Sequence, residues 1–234
     1  MKTRPTVVIL PGLDGTGHLL RDFTDALMLT FRVQVIAYPS HPALGYGKLI
    51  EFIDSRLPSN NFILIGESFS GPLALMLSHR KPQGLRAVVL GASFARLDMS
   101  CKAGLRILST PILAGRIPVR LLSPILLGSW SNAEQRETLG KALAQVSPDV
   151  LALRAREALS IDLPRTGIRS NHPLLYLRPT RDMLMPSTAV ASVQEVASDC
   201  QIRDIEAPHF LFQAAPDACA DAIRSFVHEK ELSF

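Results

Sequence analysis

The chain has 234 residues, of which 47% are hydrophobic and 20% charged, and its formal net charge is +4. This length suits one core-forming domain, and these proportions exclude a disordered, fibrous or low-complexity chain. No apolar stretch reaches the ~18 residues of a membrane span, and Met1-Lys2-Thr3-Arg4-Pro5 leads straight into a strand-like run, so neither a spanning helix nor a signal peptide is expected.

In chain order, residues 6–10 form a short aliphatic run stopped by Pro11-Gly12, which predicts a buried strand entering a turn. Leu19, Leu20, Phe23, Ala26 and Leu27 recur at helical spacing, and residues 32–36 predict a second strand ahead of the proline-bearing loop at 39–42. Leu49, Ile50, Ile53 and Leu57 mark a helix, residues 62–65 a strand closed by Gly66, and residues 71–78 a helix apolar nearly all round. Such a helix belongs inside a core, packed on both sides. Residues 85–90 predict a fourth strand.

After that strand the alternation stops. Residues 96–169 carry helical patterning only, with Ser131-Asn132-Ala133-Glu134 as a capping box and Ser147-Pro148 as a cap with proline at the first helical position. Strands resume at 174–177 and 201–205, separated by a helix over about 187–197, and a final amphipathic helix begins at Pro216. The expected fold is therefore α/β: a doubly wound, mostly parallel sheet of about six strands built from residues 1–95 and 170–234, with residues 96–169 as a helical cap insertion.

The three cysteines, Cys101, Cys200 and Cys219, are odd in number and widely spaced, giving neither a disulfide framework nor a zinc site. A reducing cytoplasm fits best, and no metal or cofactor is expected. The small net charge gives no reason to expect a nucleic-acid partner. Basic residues are concentrated between Cys101 and Ser170, where ten face five acidic ones.

The strongest chemical signal is Gly66-Glu67-Ser68-Phe69-Ser70-Gly71, placed where a buried strand turns into a buried helix. A serine hydroxyl needs a base within hydrogen-bond reach, and that base needs a carboxylate to fix its tautomer. The segment resembles the nucleophile elbow of the α/β-hydrolases, with serine in place of the pattern's glycine at position 70. The resemblance implies the chain order serine, acid, histidine, which identifies Ser68 as nucleophile, Asp182 in Arg178-Pro179-Thr180-Arg181-Asp182 as acid, and His209 in Ala207-Pro208-His209-Phe210 as base. Both loops follow predicted strands at their carboxyl ends, where open α/β sheets build sites. The alternative for each is an ordinary turn aspartate and loop histidine.

The same resemblance assigns the oxyanion donors to the backbone N–H groups of Phe69 and of Leu13, the latter in Leu10-Pro11-Gly12-Leu13-Asp14-Gly15-Thr16-Gly17, where proline replaces the family's histidine. Gly12 is expected to approach substrate, and Asp14 is read as a turn residue. The likeness covers nearly the whole chain, without the first two strands of the usual eight. In layout the chain is similar to short-capped esterases that act on acyl-carrier-protein methyl esters, and its glycine loop resembles plant esterase and thioesterase proteins linked to phytyl ester synthesis. No His-x-x-x-x-Asp acyltransferase motif follows any histidine, which favours hydrolysis over transfer. The dehalogenases and epoxide hydrolases of this fold use an aspartate nucleophile, so Ser68 argues against them.

The resemblance implies a cofactor-free serine hydrolase of a carboxylic ester or thioester. Carbon–carbon bond hydrolysis by the same residues and a hydrolase-shaped ligand receptor are the alternatives. The insertion is rich in aliphatics, including Leu105, Ile107, Leu108, Ile112, Leu113, Leu121, Leu122 and Ile125, and holds the single Trp130, expected to line the substrate site. Its basic residues, with Arg154 and Arg156 as the test pair, suggest docking of an acidic acyl-carrier protein or a coenzyme A-linked substrate.

Overall fold

The computed structural model describes residues 4–97, 110 and 117–232. The expectations on Cys101, Leu105, Ile107, Leu108, Ile112 and Leu113 lie outside this range. Six strands form one sheet: β1 (Thr6–Leu10), β2 (Arg32–Val35), β3 (Phe62–Glu67), β4 (Leu85–Gly91), β5 (Leu174–Pro179) and β6 (Cys200–Ile205). Their order is β2-β1-β3-β4-β5-β6, and every pairing is parallel. The switch point falls between β1 and β3, whose carboxyl ends carry the glycine loop and Ser68.

Helices α1 (Arg21–Met28), α2 (Tyr46–Asp54) and α3 (Gly71–His79) connect the first four strands, while α7 (Thr188–Gln194), α8 (Leu211–Ala214) and α9 (Pro216–Glu229) belong to the last two. Parallel strands need covered faces, and the central strands alternate between two cores accordingly. Val8, Leu64, Val88 and Leu174 meet α2, α3 and α7 on one face; Val7, Ile63, Val89 and Leu175 meet α1 and α9 on the other. The all-round apolar character of α3 matches its place: seven of its nine residues are buried.

Between β4 and β5 the described residues hold α4 (Val119–Leu127), α5 (Ala133–Ala144) and α6 (Pro148–Ser160), with two short 3-10 segments and no strand of the sheet. One isolated bridge, Arg96 to Asp162, closes the excursion near its two ends. Ser147 caps α6 as its sequence suggests, accepting from the Val150 N–H. The α5 cap differs from the expectation by one residue. Asn132, as good an N-cap as serine, accepts from the Gln135 N–H at 2.8 Å, while the Ser131 hydroxyl is engaged elsewhere, pairing with Ser123 at 2.5 Å.

Candidate active site

The elbow is strained where the motif requires it. Ser68 has φ of +47°, a left-handed conformation rarely adopted by residues other than glycine. That turn lifts the Ser68 side chain off the end of β3. A Cβ on Gly66 would lie 2.7 Å from the Ser70 carbonyl oxygen, and one on Gly71 would collide with the Ser93 side chain. The small-residue demand of this elbow therefore falls on Gly66 and Gly71.

Position 70 has a different use. Ser70 is fully buried, its hydroxyl donates to the Pro11 carbonyl, and Tyr38 completes the chain by donating to Ser70 Oγ at 2.5 Å. The departure from glycine thus ties the elbow to the loop after β1. Two further bonds hold the turn: Ser93 Oγ donates to the Ser68 carbonyl at 2.6 Å and Tyr46 OH to the Phe69 carbonyl at 2.9 Å.

The structure brings Ser68, His209 and Asp182 together from three separate loops. Ser68 Oγ lies 2.9 Å from His209 Nε2, and His209 Nδ1 lies 2.9 Å from Asp182 Oδ2. Burial pushes the Asp182 carboxyl up, but the adjacent His209 and N–H bonds from Met185 and Leu184 outweigh it and leave it below its ordinary range. An ionised carboxylate only accepts, so Nδ1 carries the imidazole hydrogen and Nε2 is left to accept from the serine. The two loops are registered on each other: Thr180 N–H donates to the Ile205 carbonyl and Arg181 N–H to the Ala207 carbonyl. Phe212, stacked on Phe23 with centroids 4.1 Å apart, anchors the residues after His209 in the core.

Leu13 and Phe69 both line the cavity above Ser68. The Gly12 carbonyl accepts from the Gly15 N–H at 3.0 Å, and in a trans peptide the Leu13 N–H must point the opposite way. The Phe69 N–H sits in the first turn of the 3-10 segment Ser68–Ser70 that runs into α3, where backbone donors have no intrahelical acceptor. Asp14 is the turn residue its sequence suggests, accepting from the Thr16 N–H at 2.9 Å.

The motif's second residue carries more than the sequence indicated. Glu67 is buried at the end of β3; one oxygen accepts from the Gly12 N–H at 3.0 Å and the other from the Gln213 amide at 2.8 Å. Burial pushes its carboxyl up to about 7, with Asp14 adding to the rise and the Gln213 bond, His209 and the Gly12 N–H opposing it. The available signal was a charged residue ending an otherwise apolar strand.

A cavity of about 680 Å3 opens over these residues. Its wall away from Ser68 is aliphatic, drawn from Leu121, Leu122, Ile125 and Leu126 of α4, Leu139 of α5 and Leu151 of α6. Trp130 is not part of this wall. It sits half-buried on the 3-10 segment after α4, so the apolar face of α4 fills the role expected of it. Arg154 is a second correction: 1% exposed, it cannot belong to a solvent-facing docking patch.

No family model matches the chain. It is 26% identical, over 96% of its length, to the biotin biosynthesis bifunctional protein BioHC of Cellvibrio japonicus, and it spans about half (48%) of that longer protein. It is 25% identical to haloalkane dehalogenase 2 of Mycobacterium bovis, over 94% of this chain and 87% of that one. Among solved structures, an esterase from Exiguobacterium antarcticum superposes with a TM-score of 0.80 at 15% identity, covering 97% of this chain and 93% of the esterase. A hydrolase from Oleispira antarctica gives 0.80 at 16% identity, covering 96% and 91%. The chain has the α/β-hydrolase fold, and its neighbours include an esterase, a hydrolase and a dehalogenase.

Proposed function

We propose that this chain is a serine hydrolase of apolar acyl esters or thioesters. Ser68 attacks the acyl carbonyl, His209 takes the serine proton and passes it to the leaving alcohol or thiol, and Asp182 holds the imidazole in the required tautomer. The Leu13 and Phe69 N–H groups receive the developing oxyanion. Water, activated by the same histidine, then releases the acid from the acyl-serine and restores the hydroxyl.

The observation that carries this reading is the continuous Ser68–His209–Asp182 hydrogen-bond chain, 2.9 Å at each link, at the floor of a cavity with an aliphatic far wall. The dehalogenase likeness does not transfer. A serine oxygen that displaced a halide would become an alkyl ether, which water does not hydrolyse, whereas an aspartyl ester would turn over. Docking of an anionic acyl carrier rests on the remaining basic residues of the insertion, such as exposed Arg156 and Arg169, and their reversal to glutamate tests it.

The primary test is intact-protein mass after exposure to a fluorophosphonate. One adduct on wild type and none on Ser68→Ala is expected, followed by turnover of acyl esters. A folded wild type that takes no adduct would refute the mechanism.

A further inference from the structure

Arg154 is a buried cation with no carboxylate partner among the described residues. Its Nη1 donates to the Leu13 carbonyl at 3.0 Å and the Asp14 carbonyl at 2.7 Å, and its Nη2 to the Pro39 carbonyl at 3.0 Å. Its guanidinium lies 5.3 Å from the Tyr38 ring centroid, and its Nε is buried without a partner. Burying a guanidinium against neutral acceptors is costly, so the contact calls for a use. The charged and titratable groups around it are Tyr38 and Asp14.

The position of Arg154 along α6 supplies that use. Leu151, Arg154 and Ala158 are spaced to share one helix face. Leu151 and Ala158 line the cavity, while Arg154 between them grips the loop that carries Leu13. The loop has been shaped to receive it: Gly15, at φ of +72°, leaves the space that a Cβ would take from Arg154 and Tyr38. The Leu13 residue is consequently pinned on both sides, by Glu67 through the Gly12 N–H and by Arg154 through the Leu13 carbonyl. The first pin belongs to the elbow. The second belongs to the helix that an occupant of the cavity would touch.

We propose that Arg154 is a positioning residue through which filling of the cavity by an acyl chain sets the oxyanion loop. This rests on the ester-hydrolase reading above. Burial of each methylene against α6 holds the helix, and with it the Leu13 N–H, in the reactive arrangement, so part of the chain's binding energy appears as rate and not as affinity. An acyl group too short to reach α6 binds at the serine but leaves the loop held less firmly. The substrate class is an ester with an apolar acyl chain long enough to reach α6.

The test is a kcat and KM series on p-nitrophenyl esters with acyl chains of two to twelve carbons, for wild type, Arg154→Met and Arg154→Lys. In wild type, kcat is expected to rise by about tenfold or more from the shortest chain to the middle of the series. In Arg154→Met, kcat should be flat while KM still falls with length, up to about fourfold per buried methylene. Arg154→Lys keeps the charge, but one ammonium cannot span the Leu13, Asp14 and Pro39 carbonyls as the guanidinium fork does, so it should also flatten kcat; it serves if the methionine variant does not fold. A wild-type kcat independent of chain length, or a folded variant that keeps the wild-type slope, overturns the proposal. Absence of turnover on every ester, with no fluorophosphonate adduct, would instead overturn the ester-hydrolase reading itself.

Discussion

Replacing Glu67 with glutamine should stabilise this protein at alkaline pH and leave it nearly unchanged in acid. In the folded chain burial raises the Glu67 carboxyl from 4.5 to about 7. At 1.36 kcal/mol per pH unit, keeping it ionised in the fold costs ~3 kcal/mol. The folded value lies above the unfolded one, so between about pH 4.5 and 7 the folded state binds more protons than the unfolded chain, and stability falls as pH rises through that window. Above it the cost is constant. Glutamine removes the charge while its amide oxygen can still accept from the Gly12 N–H, and its amino group can donate to Gln213 Oε1, a buried atom without a partner in the structure. Urea unfolding of wild type and Glu67→Gln at pH 4.5, 6 and 8 measures the effect. The variant should gain ~3 kcal/mol at pH 8, equivalent to roughly 6–12 °C in Tm for a chain of this size, and almost nothing at pH 4.5. A variant no more stable than wild type at pH 8, or equally stabilised at both ends, would refute the electrostatic reasoning.

Four other outcomes follow from the geometry. Asp182→Asn should lower kcat by about four orders of magnitude with little change in KM, because an amide that donates to Nδ1 forces the wrong imidazole tautomer; steady-state kinetics decide it. Ser70→Gly, which restores the familiar elbow pattern, should destabilise by ~1–3 kcal/mol, since the Pro11 carbonyl and the Tyr38 hydroxyl lose their buried partner. Gly71→Ala should cost about 1–3 kcal/mol and also reduce turnover, because the new methyl displaces the Ser93 hydroxyl that holds the Ser68 carbonyl. Phe212→Ala removes the ring stacked on Phe23 and should cost about 3–5 kcal/mol in denaturant unfolding, with His209 repositioned and activity lowered in proportion.

Read along the chain, periodicity located all six strands to within two residues at their ends, because buried parallel strands are short apolar runs that turn residues interrupt. The short helix α8 escaped notice: four residues are too few to show a period. The Ser68, Asp182 and His209 loops were legible because each follows a recognisable strand and the parallel order delivers all three to one edge. The sequence also placed an aliphatic wall in the insertion and named Leu121, Leu122 and Ile125 of α4 among its residues, but it did not single out Leu139 of α5 or Leu151 of α6, and Trp130, expected at the site, stands aside.

What the tertiary structure alone decided is the second layer of the site. Glu67 and Gly12 are 55 positions apart, Ser70 and Pro11 59, and Arg154 and Leu13 141. A sequence pattern records what a residue needs from its own strand or helix, and these bonds are set by how distant segments meet. Arg154 is the clearest case: as part of the basic excess of the insertion it was expected in a solvent-facing docking patch, and only the packing of α6 against the glycine loop turned it inward, where three backbone carbonyls replace the water it gave up.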